Sequence, residues 1–167
     1  MQFNSLQDVL REQLEDLYDA EHQLVKALPK VAAAASSADL REAIQNHLAE
    51  TQSHVTRLQQ AFSEAGMTAT ATHCDAMEGL IREGEKVVMA TGDPMAKDAA
   101  LIAAAQRVEH YEIAGYGTAK TLARELGYDE AGSILEEILD EESAADKKLT
   151  TVATGGMFRS GVNKAAV

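Results

Sequence analysis

Apolar positions recur along this chain in alternating steps of four and three over long stretches, the period of a helix that turns one face to a core. The first seam reads Leu10, Leu14, Leu17, Glu21, Leu24, Leu28, Val31. Ser5 followed by Asp8 forms a capping box with the shorter acid, so a helix is predicted to open at Leu6; Pro29 predicts a kink late in it, and Ser36-Ser37 a turn. A second long helix is expected over residues 38–65, stopped by Gly66, with Leu40, Ile44, Leu48, Val55, Leu58 and Phe62 inside. Asp75 and Glu78 mark the start of a shorter helix to about residue 90, closed by Gly92-Asp93-Pro94. The third long helix runs from Pro94 to Leu126 on a seam of Leu101, Ala105, Val108, Glu112, Gly115, Ala119, Leu122 and Leu126, and Gly127 ends it. The fourth starts near Asp129 and carries Leu135, Ile138, Glu142, Ala145, Leu149 and Val152.

Glu21, Glu112 and Glu142 each interrupt a seam that is otherwise apolar, and Glu109 stands one turn before Glu112 on the same side. A lone ionised carboxylate taken out of water costs several kcal/mol, so buried acids are paired, protonated or bound to metal. On the second helix His47, Glu50 and His54 share a stripe beside the apolar one, and Asp146 follows Glu142 by one turn. Glu50 with His54, and Glu142 with Asp146, each place a second donor at i+4. His47 is read as orienting a carboxylate rather than as a ligand. The pattern predicts an all-α protein: an antiparallel four-helix bundle over residues 1–153, with the extra short helix in the crossover between helices two and three and a polar layer inside. Residues 154–167, with three glycines, are expected to form a mobile tail.

Composition sharpens the chemistry. A formal net charge of −12 leaves no basic stripe for a phosphate backbone or an anionic membrane, so neither nucleic acid nor lipid is an expected partner. Cys74 is the single cysteine, which rules out an intramolecular disulfide framework and a Cys-x-x-Cys electron relay. With no apolar signal core or membrane-length run in the sequence, a cytoplasmic location is the expectation. Carboxylates and imidazoles converging from four helices suit two metal ions held side by side, iron or manganese first and zinc third.

Tyr18-Asp19-Ala20-Glu21, His47-Leu48-Ala49-Glu50-Thr51, Ala76-Met77-Glu78-Gly79-Leu80-Ile81, Val108-Glu109-His110-Tyr111-Glu112-Ile113-Ala114 and Glu141-Glu142-Ser143-Ala144-Ala145-Asp146 resemble the YciF/YciE family of bacterial ferritin-like proteins. The resemblance spans about residues 4–153. It implies a ferritin-like bundle, a dinuclear metal centre, a homodimer and a part in bacterial stress responses. The paired Glu109 and Glu112 are similar to the doubled acid on the third helix of rubrerythrin-like proteins. The Glu-x-x-His spacing of the wider ferritin-like group is absent, since Ser53 and Ala145 occupy the histidine positions, and His54 and Asp146 stand one residue later.

The metal-ligand candidates are therefore Glu21, Glu50, His54, Glu109, Glu112, Glu142 and Asp146. The leading reading is a dinuclear iron or manganese protein handling iron, oxygen or peroxide, an oxidase or peroxidase if it turns over, with reducing equivalents from an external donor. The alternative is a non-enzymatic bundle with a buried acidic layer that binds partner proteins. Iron storage in a shell ranks third.

Overall fold

The computed structural model describes residues 2–156 and 159–167. Four long helices carry the fold: α1 (Leu6–Ala34), α2 (Ala38–Glu64), α4 (Pro94–Glu125) and α5 (Asp129–Thr154), with the shorter α3 (Asp75–Val88) between α2 and α4. Helix starts are set by local chemistry. Ser5 and Asp8 exchange side-chain and backbone hydrogen bonds at the head of α1, and Asp93 accepts from the backbone N–H groups of Met95 and Ala96 beside Pro94 at the head of α4. α1 runs on through Pro29, whose ring is exposed.

Neighbouring long helices run antiparallel. Gln7 on α1 meets Tyr128 beyond the end of α4, while Ser36 just past α1 meets Asp98 near the start of α4. Arg57 on α2 reaches Glu137 on α5, and Arg124 on α4 reaches Glu136 on α5. α2 and α4 consequently point the same way on opposite corners, and the chain returns between them through residues 65–93. That return is fixed along α1: Thr70 and Thr72 hydroxyls donate to Glu15, the Cys74 N–H donates to Asp19, and Lys30 pairs with Glu85 of α3 at 3.0 Å.

Two apolar cores fill the bundle. Leu10, Leu14, Leu17, Leu58, Phe62, Leu135 and Ile138 pack at one end, and Leu24, Leu28, Ile44, Leu101, Ile102 and Leu149 at the other. Between them lies a layer of buried polar side chains. Gly115 lets α1 approach α4 here, since a Cβ at that position would sit 2.8 Å from Leu17 Cδ2.

Past α5 the described residues turn back on the bundle. Gly155–Gly156 (β1) pairs antiparallel with Arg159–Ser160 (β2), and the short α6 (Val162–Ala165) lies against α4 and α5 with Val162 buried in the second core. The fold-back needs Gly161, because a Cβ there would fall 2.2 Å from the Gly155 nitrogen. No apolar period announces so short an element; its burial depends on the surface that α4 and α5 offer.

Asp98 is fully buried on α4 and holds the α1–α2 turn from outside, its carboxylate accepting from the N–H groups of Ser36 (2.9 Å) and Ser37 (2.6 Å). Asp98→Ala leaves both donors without a partner and is expected to lower unfolding free energy by about 3 kcal/mol. Urea denaturation of the metal-free protein checks this, and a loss within about 0.5 kcal/mol would show that water replaces the carboxylate.

Candidate metal centre

The polar layer is built by four helices at one level. Glu21 comes from α1, His47, Thr51 and His54 from α2, Glu109, Glu112 and Tyr116 from α4, and Glu142 from α5, all buried. Two groups of donors share Glu142. His47, Glu109, Glu112 and Glu142 form one, and Glu21, His54 and Glu142 the other, each with candidate ligand atoms within 4.8 Å of one another. His47 Nε2 lies 3.4 Å from Glu109 Oε1 and 3.9 Å from Glu142 Oε2, and His54 Nδ1 lies 3.2 Å from Glu21 Oε1 and 2.9 Å from Glu142 Oε1.

The placement of the sequence candidates is uneven. Glu21, His54, Glu109, Glu112 and Glu142 meet in this layer. Glu50 and Asp146 do not. The Glu50 side chain is 45% exposed, with Oε2 3.7 Å from His47 Nδ1 on the outer side of that ring. Asp146 accepts from Gln106 Nε2 at 2.9 Å and faces His110, beside the layer rather than within it. Conversely His47, expected only to orient a carboxylate, stands among the donors.

The cause is the register of α2. Its buried line is Leu40, Ile44, His47, Thr51, His54, Leu58 and Ala61, while Leu48 and Val55 are only half-buried. That line keeps the same steps of four and three as α1, so the polar trio His47, Thr51 and His54 continues the seam; choosing apolar residues alone shifted the expected face by one position. Thr51 is silent to the outside, its hydroxyl donating to the His47 carbonyl. The Tyr116 hydroxyl donates to Glu21 Oε1 across the α1–α4 interface.

The electrostatics are those of too many acids in too little water. Burial, reinforced by the charge of Glu142, pushes Glu109 and Glu112 well above the usual carboxylate range. Burial also raises Glu21, against the opposing pull of His54. Burial alone would lower His54, but its contacts with Glu142 and Glu21 outweigh that and lift it to about 10. His47 is raised as well, burial being overcome by Glu50, Glu142 and Glu21. Glu142 goes down despite burial, because both histidines face it. On the outer side of His54, Nε2 lies 2.8 Å from Glu141, which Arg57 holds in a close ion pair. That Arg57–Glu141 pair fixes the ring so that Nδ1 faces inward.

Several atoms of these groups make no well-formed hydrogen bond among the described residues. Both oxygens of Glu112 and Glu142, one oxygen each of Glu21 and Glu109, and both ring nitrogens of His47 are buried without a hydrogen-bond partner among the described residues. Buried polar atoms left so are rare and costly. Donors of oxygen and nitrogen that converge, lack partners and carry excess negative charge fit hard or borderline divalent cations. Four carboxylates, Glu21, Glu109, Glu112 and Glu142, balance the four positive charges of two such ions. A third group, His73, Asp75 and Glu78, is exposed and has no comparable demand.

Residues 5–166 match the family described as "Domain of unknown function (DUF892)". The chain belongs to this family. This DUF892 chain is 46% identical to Protein YciF of Escherichia coli (strain K12) over 166 residues, covering 99% of itself and 100% of that protein. The crystal structure of the E. coli stress protein YciF superposes with a TM-score of 0.86 over 89% of this chain and 94% of that one. The solved structure of YcfI from Rhodopseudomonas palustris is 43% identical, with a TM-score of 0.86 over 90% and 96% of the two chains. A Xanthomonas campestris protein, 21% identical with a TM-score of 0.68 over 87% and 89%, shares the fold. No helix among the described residues is long and apolar enough to cross a membrane.

Proposed function

We propose that this DUF892 protein is a dinuclear metal-binding protein of the stress response, with iron or manganese at a centre formed by Glu21, His47, His54, Glu109, Glu112 and Glu142. The observation that carries this reading is the set of buried, converging carboxylate oxygens and imidazole nitrogens that have no hydrogen-bond partner among the described residues. The homologue's description as a stress protein supports the physiological setting.

A redox-active metal pair, when bound, supplies electrons for the reduction of dioxygen or peroxide. The chain's own residues prepare the place for that chemistry. Glu142 belongs to both donor groups and would help to hold both ions, His47 serving one group and His54 the other. Tyr116 donates to Glu21 Oε1, while Oε2 of that carboxylate has no hydrogen-bond partner among the described residues. The two apolar cores above and below keep bulk water from the layer. No second cysteine stands in the chain to relay electrons internally, so turnover draws on an external donor.

Elemental analysis of protein purified without chelator tests the reading. About two iron or manganese ions per chain are expected, the number held by carboxylate-bridged four-helix centres. Protein that is metal-free as isolated and takes up neither Fe2+ nor Mn2+ anaerobically would overturn it in favour of a hydrogen-bonded acid layer.

A further inference from the structure

Among the described residues, a cavity on either side of the bundle approaches the polar layer, and both touch Glu109. The one between α1, α3 and α4 is walled by Leu24, Leu28, Val31, Leu80, Ile81 and Val88 and is apolar almost throughout, with a volume of about 50 Å³. The other, about 220 Å³, opens between α2 and α5 and is lined by Asn46, His47, Glu50, Glu109, Ala145 and Lys148. A hydrated cation crossing the first would shed its water against hydrocarbon, a large penalty with nothing to offset it. The second carries Glu50, His47 and Glu109 among its lining residues.

Those ligands form a file from solvent inward. Glu50 stands 45% exposed, its Oε2 3.7 Å from Nδ1 of His47. His47 is itself only 5% exposed, both its ring nitrogens lack hydrogen-bond partners among the described residues, and its Nε2 lies 3.4 Å from Glu109 and 3.9 Å from Glu142. Small side chains on α5, Ala144 and Ala145, leave the opening clear opposite this file. We propose that divalent metal ions reach the centre through the opening between α2 and α5, captured first by Glu50 and handed across His47 to Glu109 and Glu142. The proposal rests on the dinuclear reading, and it gives Glu50 a transit role where the sequence had suggested a resident ligand. Lys148 at the mouth opposes cations, so this route is slower than its acids alone would make it.

Anaerobic stopped-flow uptake of Co2+, followed by its visible absorption in the metal-free full-length protein, tests the route. Glu50→Gln removes the outer charge on an exposed side chain, and Ala145→Leu fills the opening. Each is expected to slow uptake about tenfold, the scale on which local charge and access govern association, while the final metal content stays that of wild type. Lys148→Glu is expected to speed it at low salt. Gly84→Leu, which narrows the apolar cavity at a position open enough to accept a side chain, is expected to leave the rate unchanged. Wild-type protein that binds no Co2+ would remove the dinuclear reading itself. Wild type that loads normally, with Glu50→Gln and Ala145→Leu loading just as fast or Gly84→Leu loading slowly, would leave that reading standing and overturn the route.

Discussion

Replacing Glu142 by Ala is expected to strip the protein of both metal ions, whereas Glu21→Ala or Glu112→Ala removes about one. Glu142 is the residue common to the two donor groups; Glu21 serves only the group with His54, and Glu112 only the group with His47. Losing a shared carboxylate takes one ligand from each ion and also one of the four negative charges that hold them. The metal-free variant is weakened too, because His54 loses the closer of its two inward acids and keeps only Glu21 on that side, with Glu141 on the outer side. Glu142→Gln keeps the volume and an oxygen acceptor, so it separates metal loss from collapse of the layer. At a free metal concentration about a thousand times the dissociation constant, wild type should gain about 4 kcal/mol of stability on loading, and both Glu142 variants close to none. Metal analysis beside thermal melts reads this directly; a Glu142→Ala protein that keeps its full metal content would show that the two donor groups do not depend on a shared carboxylate.

Stability of the metal-free protein is expected to fall as pH rises, and metal is expected to reverse that trend. An acid raised on folding keeps in the native state a proton that the unfolded chain has released, so the native state binds more protons over the window between the two pKa values and stability drops across it. Glu21, Glu109 and Glu112 behave so above their ordinary value of 4.5. His54 adds to it: its contribution is complete below 6.5 and is lost as pH climbs to about 10. His47 has the same sign. Glu142, held low, works the other way, its contribution being lost on acidification. Three raised acids and two raised imidazoles against one lowered acid set the net direction. From roughly pH 6 to roughly pH 9 the metal-free melting temperature should drop on the order of 10 °C. Metal must displace the protons held by these groups, so its binding tightens with pH and releases protons into the buffer. Calorimetric titrations in two buffers of different ionisation enthalpy, with melts at the same pH values, measure both effects. A metal-free melting temperature that is flat or rises over this range would mean that the acids ionise without metal.

The helices and most of the donors were legible in the chain because helix formation and seam polarity are local properties. Ser5 with Asp8, Asp93 with Pro94, and Gly66 and Gly127 mark ends that the structure places within one or two residues of the expected positions. Glu21, Glu112 and Glu142 stood out because the apolar steps on either side of each leave no doubt about its face. α2 was harder. Its seam carries His47, Thr51 and His54 in succession, and a run with three polar positions reads equally well as the flank of an apolar line through Leu48 and Val55. One position of rotation decided whether Glu50 or His47 faced inward.

By itself, then, the sequence determined four amphipathic helices, a short fifth between the second and third, and an acid placed mid-seam on three of them, because spacing and capping act within a few residues. Tertiary structure alone decided which side of α2 turned in, since only the acids of α1, α4 and α5 at the same level make it favourable to bury two imidazoles there. It decided that Glu142 lies in both donor groups, that Tyr116 ties Glu21 to α4, and that Asp146 is held aside by Gln106, because those distances join residues far apart in the chain. It likewise turned residues 159–167 back onto α4 and α5, where Val162 finds a core that its own neighbours could not supply.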